Sequence, residues 1–428
     1  MSPLVLGPLT VPTPVVLAPM AGITNAAYRR LCLEQMEAQG ATGLFVCEMI
    51  TSRGLVERDP TTLKMLVFDE LETTRSVQLY GTDPSYVGKA TEILCAEYGV
   101  AHVDLNFGCP VPKVTRKGGG GALPWKRGLL AEILTAAVAA AAPYDVPVTI
   151  KTRKGLDDDH LTYLDAGRIA QEAGCAAISL HGRTVAQAYS GQADWDAISR
   201  LVDHVEIPVL GNGDIWESGD ALRMVDETGA AGVVVGRGCL GRPWLFRDLA
   251  AALAPSPEPS RSWVEPSPSW VEPSRSWVEP SPSWVEPSPS WVEPSPSWVE
   301  PVETHAPTLP TLGEVAMMMR RHAELLGEHM GEERGCKEFR KHVSWYLKGF
   351  RAGGELRHSL ALVDSLAALD GLLAELDPAE PFPVAELGAP RGRQGSPRER
   401  VVLPEGWLDD TDGTQLRLTE ETTETTGG

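Results

Sequence analysis

Paired cysteines are missing from the sequence. The chain has 428 residues and seven cysteines, and no two of these form a C-x-x-C pair. This odd number and scattered spacing exclude a disulfide framework and a zinc ribbon, and they are typical of a protein from a reducing compartment. We therefore expect no metal site, and we expect the protein to be cytoplasmic.

Long apolar runs are also missing. The longest apolar helix candidate, residues 129–142, contains Glu132 and is shorter than the roughly 20 residues that span a bilayer. Residues 1–14 have no basic region and are interrupted by prolines, a pattern that does not fit a signal peptide. We therefore expect a soluble monomer with no membrane partner.

Positive charge is scarce along the chain. There are 38 Lys and Arg against 58 Asp and Glu, a net charge of −20 that disfavours a nucleic-acid partner, because phosphates attract cations. Two segments depart from this average. Residues 334–358 hold seven Lys or Arg against two acids, and residues 113–127 hold five Lys or Arg. These clusters are either solvated faces or local phosphate-binding surfaces.

Short apolar segments alternate with helical patterns over the first 254 residues. The strand candidates are 15–18, 43–47, 76–80, 102–106, 147–151, 177–181, 208–212 and 232–236, with helical patterns at 84–98, 128–142, 160–173, 194–203 and 217–228. Eight such strands indicate a parallel sheet covered by helices, and eight is the number that closes a (β/α)₈ barrel. A doubly wound open sheet is disfavoured because no G-x-G-x-x-G motif opens the first helix. We predict an α/β fold, a TIM barrel over residues 1–254.

The composition changes after the barrel. Residues 262–303 repeat a seven-residue unit built on SWVEP, and its regular prolines exclude a coiled coil. We expect residues 255–310 to be a disordered linker, with a partner-binding tether as the alternative. Helical periodicity over residues 311–376 predicts a small helical domain of three or more helices. The Pro-, Gly-, Thr- and Glu-rich residues 377–428 predict a disordered tail.

Polar or small residues stand at the carboxyl ends of the predicted strands, where the active site of this fold lies. Each of them alone has an ordinary structural explanation, as a loop cap or an ion-pair partner. Their shared position at one rim of the predicted barrel favours a functional site. In strand order they are Pro19, Met20 and Ala21; Gln78; Asn106 and Cys109; Lys151 and Arg153; His181 and Arg183; Asn212, Gly213 and Asp214; and Gly236 and Arg237.

Two glycine-rich turns indicate the kind of ligand. "GNGDI" follows the seventh strand and "VGRGCLGRPW" follows the eighth. Backbone N–H groups in such turns, ahead of a helix, bind phosphate. With Lys151 and Gln78 in the same pocket, a flat cofactor that carries negative charge when reduced is favoured, and a flavin fits this description.

Several motifs resemble those of the tRNA-dihydrouridine synthases. They are "APMAGITNAAYRRL", "SVQLYGTDP", "VDLNFGCPVPKVTRKGGGGAL", "VTIKTRKG", "ISLHGRT", "VLGNGDI" and "VVVGRGCLGRPWLF". The resemblance covers roughly residues 1–250 and resumes at residues 336–350, "CKEFRKHVSWYLKGF", as in the bacterial B-type branch. It implies FMN in a barrel followed by a helical domain, NADPH as reductant, and reduction of the C5–C6 bond of tRNA uridines. The repeat block and the residues after 377 have no counterpart in that pattern.

The resemblance also implies residue roles. FMN would be held by Pro19, Met20, Ala21, Gln78, Lys151, His181, Asn212, Gly213, Asp214, Gly236 and Arg237. Cys109 would be the general acid that protonates C5 while C6 takes the hydride, so the pKa of its thiol should not be strongly lowered. The substrate would be bound by Asn106, Arg153, Arg183, Lys337, Arg340 and Lys341.

Two other functions stay open. A small-molecule pyrimidine oxidoreductase, similar to dihydroorotate dehydrogenase, would use the same flavin barrel without needing the basic segment 334–358. A barrel that has lost catalysis and acts as an RNA-binding scaffold is the other. The presence of Cys109 and Lys151 argues against that scaffold.

Overall fold

The fold is seen in a computed structural model that describes residues 1–253, 306–392 and 394–413. Its strands are β1 Leu4–Leu6, β2 Leu9–Val11, β3 Val15–Leu17, β4 Leu44–Thr51, β5 Ser76–Tyr80, β6 His102–Phe107, β7 Val148–Arg153, β8 Ala177–His181, β9 Val209–Asn212 and β10 Gly232–Val235. Strands β3 to β10 form a closed barrel in chain order, and β10 pairs with β3 in parallel. The prediction of an eight-stranded parallel barrel is therefore confirmed.

Helices follow the strands around the barrel and continue beyond it. They are α1 Ala26–Glu37, α2 Ser52–Val56, α3 Pro60–Leu63, α4 Pro84–Tyr98, α5 Pro112–Thr115, α6 Arg127–Ala141, α7 Tyr163–Glu172, α8 Trp195–Val202, α9 Ser218–Thr228, α10 Leu245–Leu253, α11 Leu312–Met330, α12 Glu332–Tyr346, α13 Gly354–Leu360 and α14 Leu366–Leu373. Short 3₁₀ turns lie at Gly120–Trp125, Ala142–Tyr144, Arg237–Cys239, Val384–Glu386 and Trp407–Asp409. No described helix has both the length and the apolar character needed to cross a membrane.

Helix α4 illustrates how the sequence sets these bounds. The side chain of Asp83 accepts a hydrogen bond from the backbone N–H of Tyr86, and Pro84 occupies the first turn, where its missing N–H costs nothing. Gly99 ends the helix with φ 56°, a left-handed conformation that glycine adopts without strain. The sequence pattern predicts the same range, 84–98.

An antiparallel hairpin that the strand pattern does not predict precedes the barrel. Strands β1 and β2 pair with each other, and Leu4, Leu6 and Val11 pack against inward-facing barrel residues such as Val16 and Val234. A Cβ placed on Gly7, at the hairpin turn, would contact Pro147, just before β7 begins. The hairpin therefore fills the amino-terminal end of the barrel, opposite the polar rim.

The helices after the barrel do not form a separate body. Helix α11 packs on α1, and buried residues such as Val315 and Phe339 share one hydrophobic core with the barrel helices. The barrel and these helices form one compact unit. The predicted boundary near residue 311 is therefore not a boundary in the packing. Residues 254–305, which hold most of the predicted linker, lie outside the described residues.

Residues 377–392 and 394–413 differ from the predicted disordered tail. Phe382, Arg391 and Trp407 are buried, at 5%, 3% and 5% exposure. The correction has a simple cause: a few single side chains anchor this segment, and such anchors leave no periodic pattern in the sequence. Residues 414–428 lie outside the described residues.

Candidate active site

A cavity of about 400 Å³ opens at the carboxyl ends of the barrel strands. Its size lies within the range of about 300–1,000 Å³ that is usual for small-molecule and cofactor sites. The predicted residues that line it are Pro19, Met20, Ala21, Gln78, Asn106, Cys109, Lys151, Arg153, His181, Asn212, Gly213, Asp214, Gly236 and Arg237. The strand-end pattern thus predicted residues that the fold brings to one cavity. The cavity does not include Arg183, Lys337, Arg340 or Lys341.

A chain of side-chain hydrogen bonds runs up the barrel interior to the backbone of Cys109. Gln78 donates from Nε2 to Oδ2 of Asp104 over 2.7 Å, and Asn106 donates from Nδ2 to Oε1 of Gln78 over 2.7 Å. The Oδ1 atom of Asn106 then accepts the backbone N–H of Cys109 at 2.9 Å. Because each amide is bound on both sides, its oxygen and nitrogen have fixed orientations.

Asp104 anchors this chain and was missed in the sequence. Burial raises the pKa of its carboxyl to about 6, although Thr149 and Gln78 donate to it. At neutral pH it is therefore ionised and acts only as an acceptor, which fixes the donor side of Gln78. Strand alternation could have found it, because Asp104 stands two residues before Asn106 and faces the same side of β6.

Lys151 is a buried cation in the same layer. Its Nζ donates to Oδ1 of Asn212 over 2.8 Å, and Asn212 donates in turn from Nδ2 to the carbonyl oxygen of Val234. Burial lowers the pKa of Lys151 to about 8, with the positive charge of Arg153 adding to the effect and Asp104 opposing it. A buried cation that donates to a neutral amide suits an anionic ligand in the cavity.

Cys109 carries the thiol at the edge of the cavity. It is partly buried, whereas the other six cysteines of the chain are buried. Burial raises the pKa of its thiol, and a backbone hydrogen bond and the guanidinium groups of Arg153 and Arg398 oppose that rise. The thiol therefore keeps its proton at neutral pH, as a general acid must and as a nucleophilic cysteine does not.

Two buried arginines order the loops around the thiol. Arg153 donates to the carbonyl oxygens of Gly108, Thr184 and Ala188, at 2.8, 3.1 and 2.8 Å. Arg183 pairs with Asp214 at 2.7 Å and also donates to the carbonyl oxygens of Ser190 and Gly191 at 2.9 and 2.6 Å. Arg183 lines an adjoining cavity of about 510 Å³ rather than the first one.

His181 and Gly213 meet where β8 and β9 end. Burial, together with the charges of Arg153 and Lys151, holds the pKa of His181 well below its usual range, so the ring is neutral. Gly213 has φ 120°, and a Cβ there would lie 2.7 Å from the Cβ of Ala193 and 3.0 Å from the ring of His181. Only glycine fits this turn, which leaves its backbone close to the cavity.

Three aromatic side chains of the cavity were also missed. Tyr189 stacks between Arg153 and Arg237, with guanidinium carbons 5.6 and 5.0 Å from its ring centroid. Trp216 lies under Arg237 at 5.1 Å, and Trp345 reaches the cavity from α12. Tyr189 and Trp345 stand on elements that meet the barrel rim only in three dimensions, so strand ends could not reveal them.

The three basic residues of α12 that were predicted to bind substrate have different contacts. Lys341 donates to the carbonyl oxygen of Gly22, in the loop after β3, and to Glu338. Lys337 pairs with Glu333 on its own helix, and Arg340 donates to the carbonyl oxygens of Val363 and Leu362. Lys341 therefore lies at the barrel rim, whereas Arg340 binds the segment that follows α13.

The sequence matches a known protein family over most of its length. The family model described as dihydrouridine synthase matches residues 16–269 and 296–379. A protein named "Probable tRNA-dihydrouridine synthase" from Mycobacterium tuberculosis (strain ATCC 25618 / H37Rv) is 50% identical over 410 residues, which are 95% of this chain and 92% of that protein. "tRNA-dihydrouridine synthase B" from Pseudomonas aeruginosa is 33% identical and covers 83% of this chain and 90% of that protein. Among solved structures, histamine dehydrogenase from Rhizobium sp. 4-9 has a TM-score of 0.44 at 11% identity, covering 59% of this chain and 48% of that one.

Proposed function

The chain belongs to the dihydrouridine synthase family, and on that basis we propose that it reduces the C5–C6 double bond of uridines in tRNA. FMN is the proposed cofactor, NADPH its reductant and tRNA the substrate. The observation that carries the proposal is the placement of Cys109, whose backbone N–H donates to Asn106, at the mouth of a cavity that also contains the buried cation Lys151.

The residues of the cavity suit FMN. Lys151 is a buried cation whose charge an anionic ring edge would balance, and burial, together with the charge of Arg153, lowers its pKa to about 8. Gly213 leaves backbone within reach of the cavity because a side chain there would strike His181. FMN would be held by these residues together with Gln78, Asn212 and Arg237, and when bound it supplies the hydride for C6 of the uracil ring.

The chain's own part in the reaction is proton transfer to C5. Asn106 binds the backbone N–H groups of Gly108 and Cys109, at 3.1 and 2.9 Å, and so aims the thiol at one place in the cavity. The S–H bond of Cys109 breaks as the new C5–H bond forms, and the thiolate then recovers a proton from water. Burial keeps the thiol protonated until this step, because it raises the pKa of Cys109.

The rim of the cavity fits an RNA chain. Lys113 and Arg116 are exposed on the segment that follows Cys109, and Lys341 and Trp345 reach the cavity mouth from α12 near the loop after β3. Phosphate contacts from both segments would present one nucleotide to the cavity, extruded from its stack so that its base reaches the thiol. Lys337 and Arg340, on the same helix as Lys341, remain predicted tRNA contacts.

The test is turnover of tRNA by the purified protein. Unmodified tRNA and NADPH are supplied, and dihydrouridine is measured by mass spectrometry. We expect Cys109→Ala to retain the flavin spectrum and tRNA binding while losing at least about 100-fold in dihydrouridine formation, the scale of a missing general acid. Cys95→Ala, on α4 outside the cavity, is the matched control.

Three outcomes would overturn parts of the proposal. Near-normal turnover by Cys109→Ala would remove the acid role of the thiol. Reduction of free uridine with no dihydrouridine in tRNA would favour a small-molecule oxidoreductase. A colourless protein that binds tRNA without turnover would indicate the RNA-binding scaffold.

A further inference from the structure

Residues 387–392 and 394–413 lie across the rim of the barrel and are here called the C-terminal strap, which is anchored at both ends. At its start the buried Arg391 donates from Nη1 to the carbonyl oxygen of Trp345 on α12 over 3.0 Å. At its end the buried Trp407 donates from Nε1 to the carbonyl oxygen of Ala122 over 3.1 Å. Nearby, the backbone N–H of Arg127 donates to the carbonyl oxygen of Thr411 at 2.8 Å. These anchors give the strap a defined course.

Between its anchors the strap touches two loops of the active-site mouth through Arg398. The backbone N–H of Arg398 donates to the carbonyl oxygen of Ala186, in the loop after β8, over 2.9 Å. Its guanidinium donates from Nη1 to the carbonyl oxygen of Pro110, the residue after Cys109. Arg398 therefore ties the strap to the loop that carries the thiol.

The Cys109 loop is thus held by an arginine on each side. Arg153 binds the carbonyl oxygen of Gly108, the residue before the thiol, and Arg398 binds that of Pro110, the residue after it. Arg153 comes from a barrel strand, whereas Arg398 comes from a segment almost 290 residues further along the chain than Pro110. Neither carbonyl can turn without breaking a charge-assisted hydrogen bond.

We propose that Arg398 is a positioning residue for Cys109, which fixes the thiol through the Pro110 carbonyl and keeps a permanent positive charge beside it. This inference rests on the proposed function, in which Cys109 gives its proton to C5. As that proton leaves, negative charge develops on sulfur, and a nearby guanidinium stabilises it. The charges of Arg153 and Arg398 both act to lower the pKa of the thiol, against the larger effect of burial.

The test measures the thiol itself, without tRNA or NADPH. Full-length protein is treated with iodoacetamide between pH 7 and pH 10, and alkylation of Cys109 is followed by mass spectrometry of its peptide. The thiolate is the reacting form, so the rate reports its pKa. We expect Arg398→Gln to alkylate roughly threefold to tenfold more slowly near pH 8.5, as for a pKa rise of about 0.5–1, and Arg398→Lys to recover most of the rate.

Arg400→Gln is the matched control, because Arg400 is an exposed residue of the same strap and carries the same charge. An unchanged profile in Arg398→Gln, or an equal shift in Arg400→Gln, would overturn the proposal. In turnover with tRNA, we expect Arg398→Gln to lower kcat at an unchanged KM for tRNA. A raised KM at unchanged kcat would instead make Arg398 a tRNA contact. Because alkylation needs no substrate, it stays informative even if the chain does not reduce tRNA.

Discussion

Lys151 is a buried cation whose charge depends on what fills the cavity. Its Nζ donates to the amide of Asn212, and burial lowers its pKa to about 8. A bound anion favours the charged form and raises that pKa again. By linkage, such a ligand binds the protonated protein more tightly, so its affinity falls as pH rises through the pKa of the free protein.

We predict that the affinity for FMN falls up to about tenfold between pH 7 and pH 9. Lys151→Gln should bind FMN more weakly at pH 7 and show no inflection near pH 8. Quenching of flavin fluorescence on binding measures both. The control is Lys154→Gln, because Lys154 pairs with Asp194 at 3.0 Å and lies outside the cavity. An inflection that persists in Lys151→Gln would assign the titration to another group.

The position of a site residue in the fold decides whether the sequence could predict it. Gln78, Asn106 and Lys151 lie within two residues of the carboxyl ends of β5, β6 and β7. The barrel topology alone therefore brings them together. Tyr189 and Trp345 depend on how a loop and a distant helix pack, and no local pattern encodes that packing. Arg340 stays a predicted substrate contact, and its guanidinium donates to the backbone carbonyl oxygens of Val363 and Leu362.

At the scale of elements, the barrel strands were predictable from the sequence, whereas the amino-terminal hairpin and the C-terminal strap were not. The barrel strands are near-continuous apolar runs, and helices such as α4 have capping residues at both ends. The C-terminal strap has neither feature, because its stability comes from two buried side chains, Arg391 and Trp407, on a chain otherwise rich in Pro, Gly and charge. Disordered segments have the same kind of composition, so composition alone cannot distinguish an anchored segment from a disordered one.

We predict that Trp407→Ala releases the C-terminal strap while the barrel stays folded. Trp407 packs with Ala122, Leu156 and Val185 in a small cluster apart from the main core, so its loss affects that end of the strap first. Trypsin should then cut after Arg398 or Arg400 at least tenfold faster than in the unchanged protein, because loosened segments are cleaved preferentially. Equal cleavage rates would contradict the anchoring role. Leu408→Ala is the control, since Leu408 is 40% exposed.

At the scale of the whole molecule, two buried histidines join the C-terminal helices to the barrel. His322 on α11 and His342 on α12 are fully buried, with ring centroids 4.4 Å apart. The ring of His342 stacks with that of Tyr28 on α1, and the ring of His322 is tilted against it. His322 shares a hydrogen bond with the hydroxyl of Tyr346 at 3.1 Å, whereas neither ring nitrogen of His342 has a partner among the described residues. Burial lowers the pKa of His322 to about 3 and that of His342 well below its usual range, with the charge of Lys341 adding to both.

These pKa values make the junction sensitive to acid. The folded state keeps both rings neutral, whereas the unfolded chain takes up protons below about pH 6.5, so stability is lost as pH falls from that value toward 3. For a single histidine with the pKa shift of His322, the loss of stability at pH 5 is about 2 kcal/mol.

We predict that the Tm of His342→Leu, a substitution that is close in volume, falls less between pH 7.5 and pH 5 than the Tm of the unchanged protein. The control His204→Leu, at an exposed position, should leave that difference unchanged. A Tm that falls as steeply in His342→Leu would show that the acid sensitivity arises elsewhere, and differential scanning calorimetry of the full chain at the two pH values decides between these outcomes.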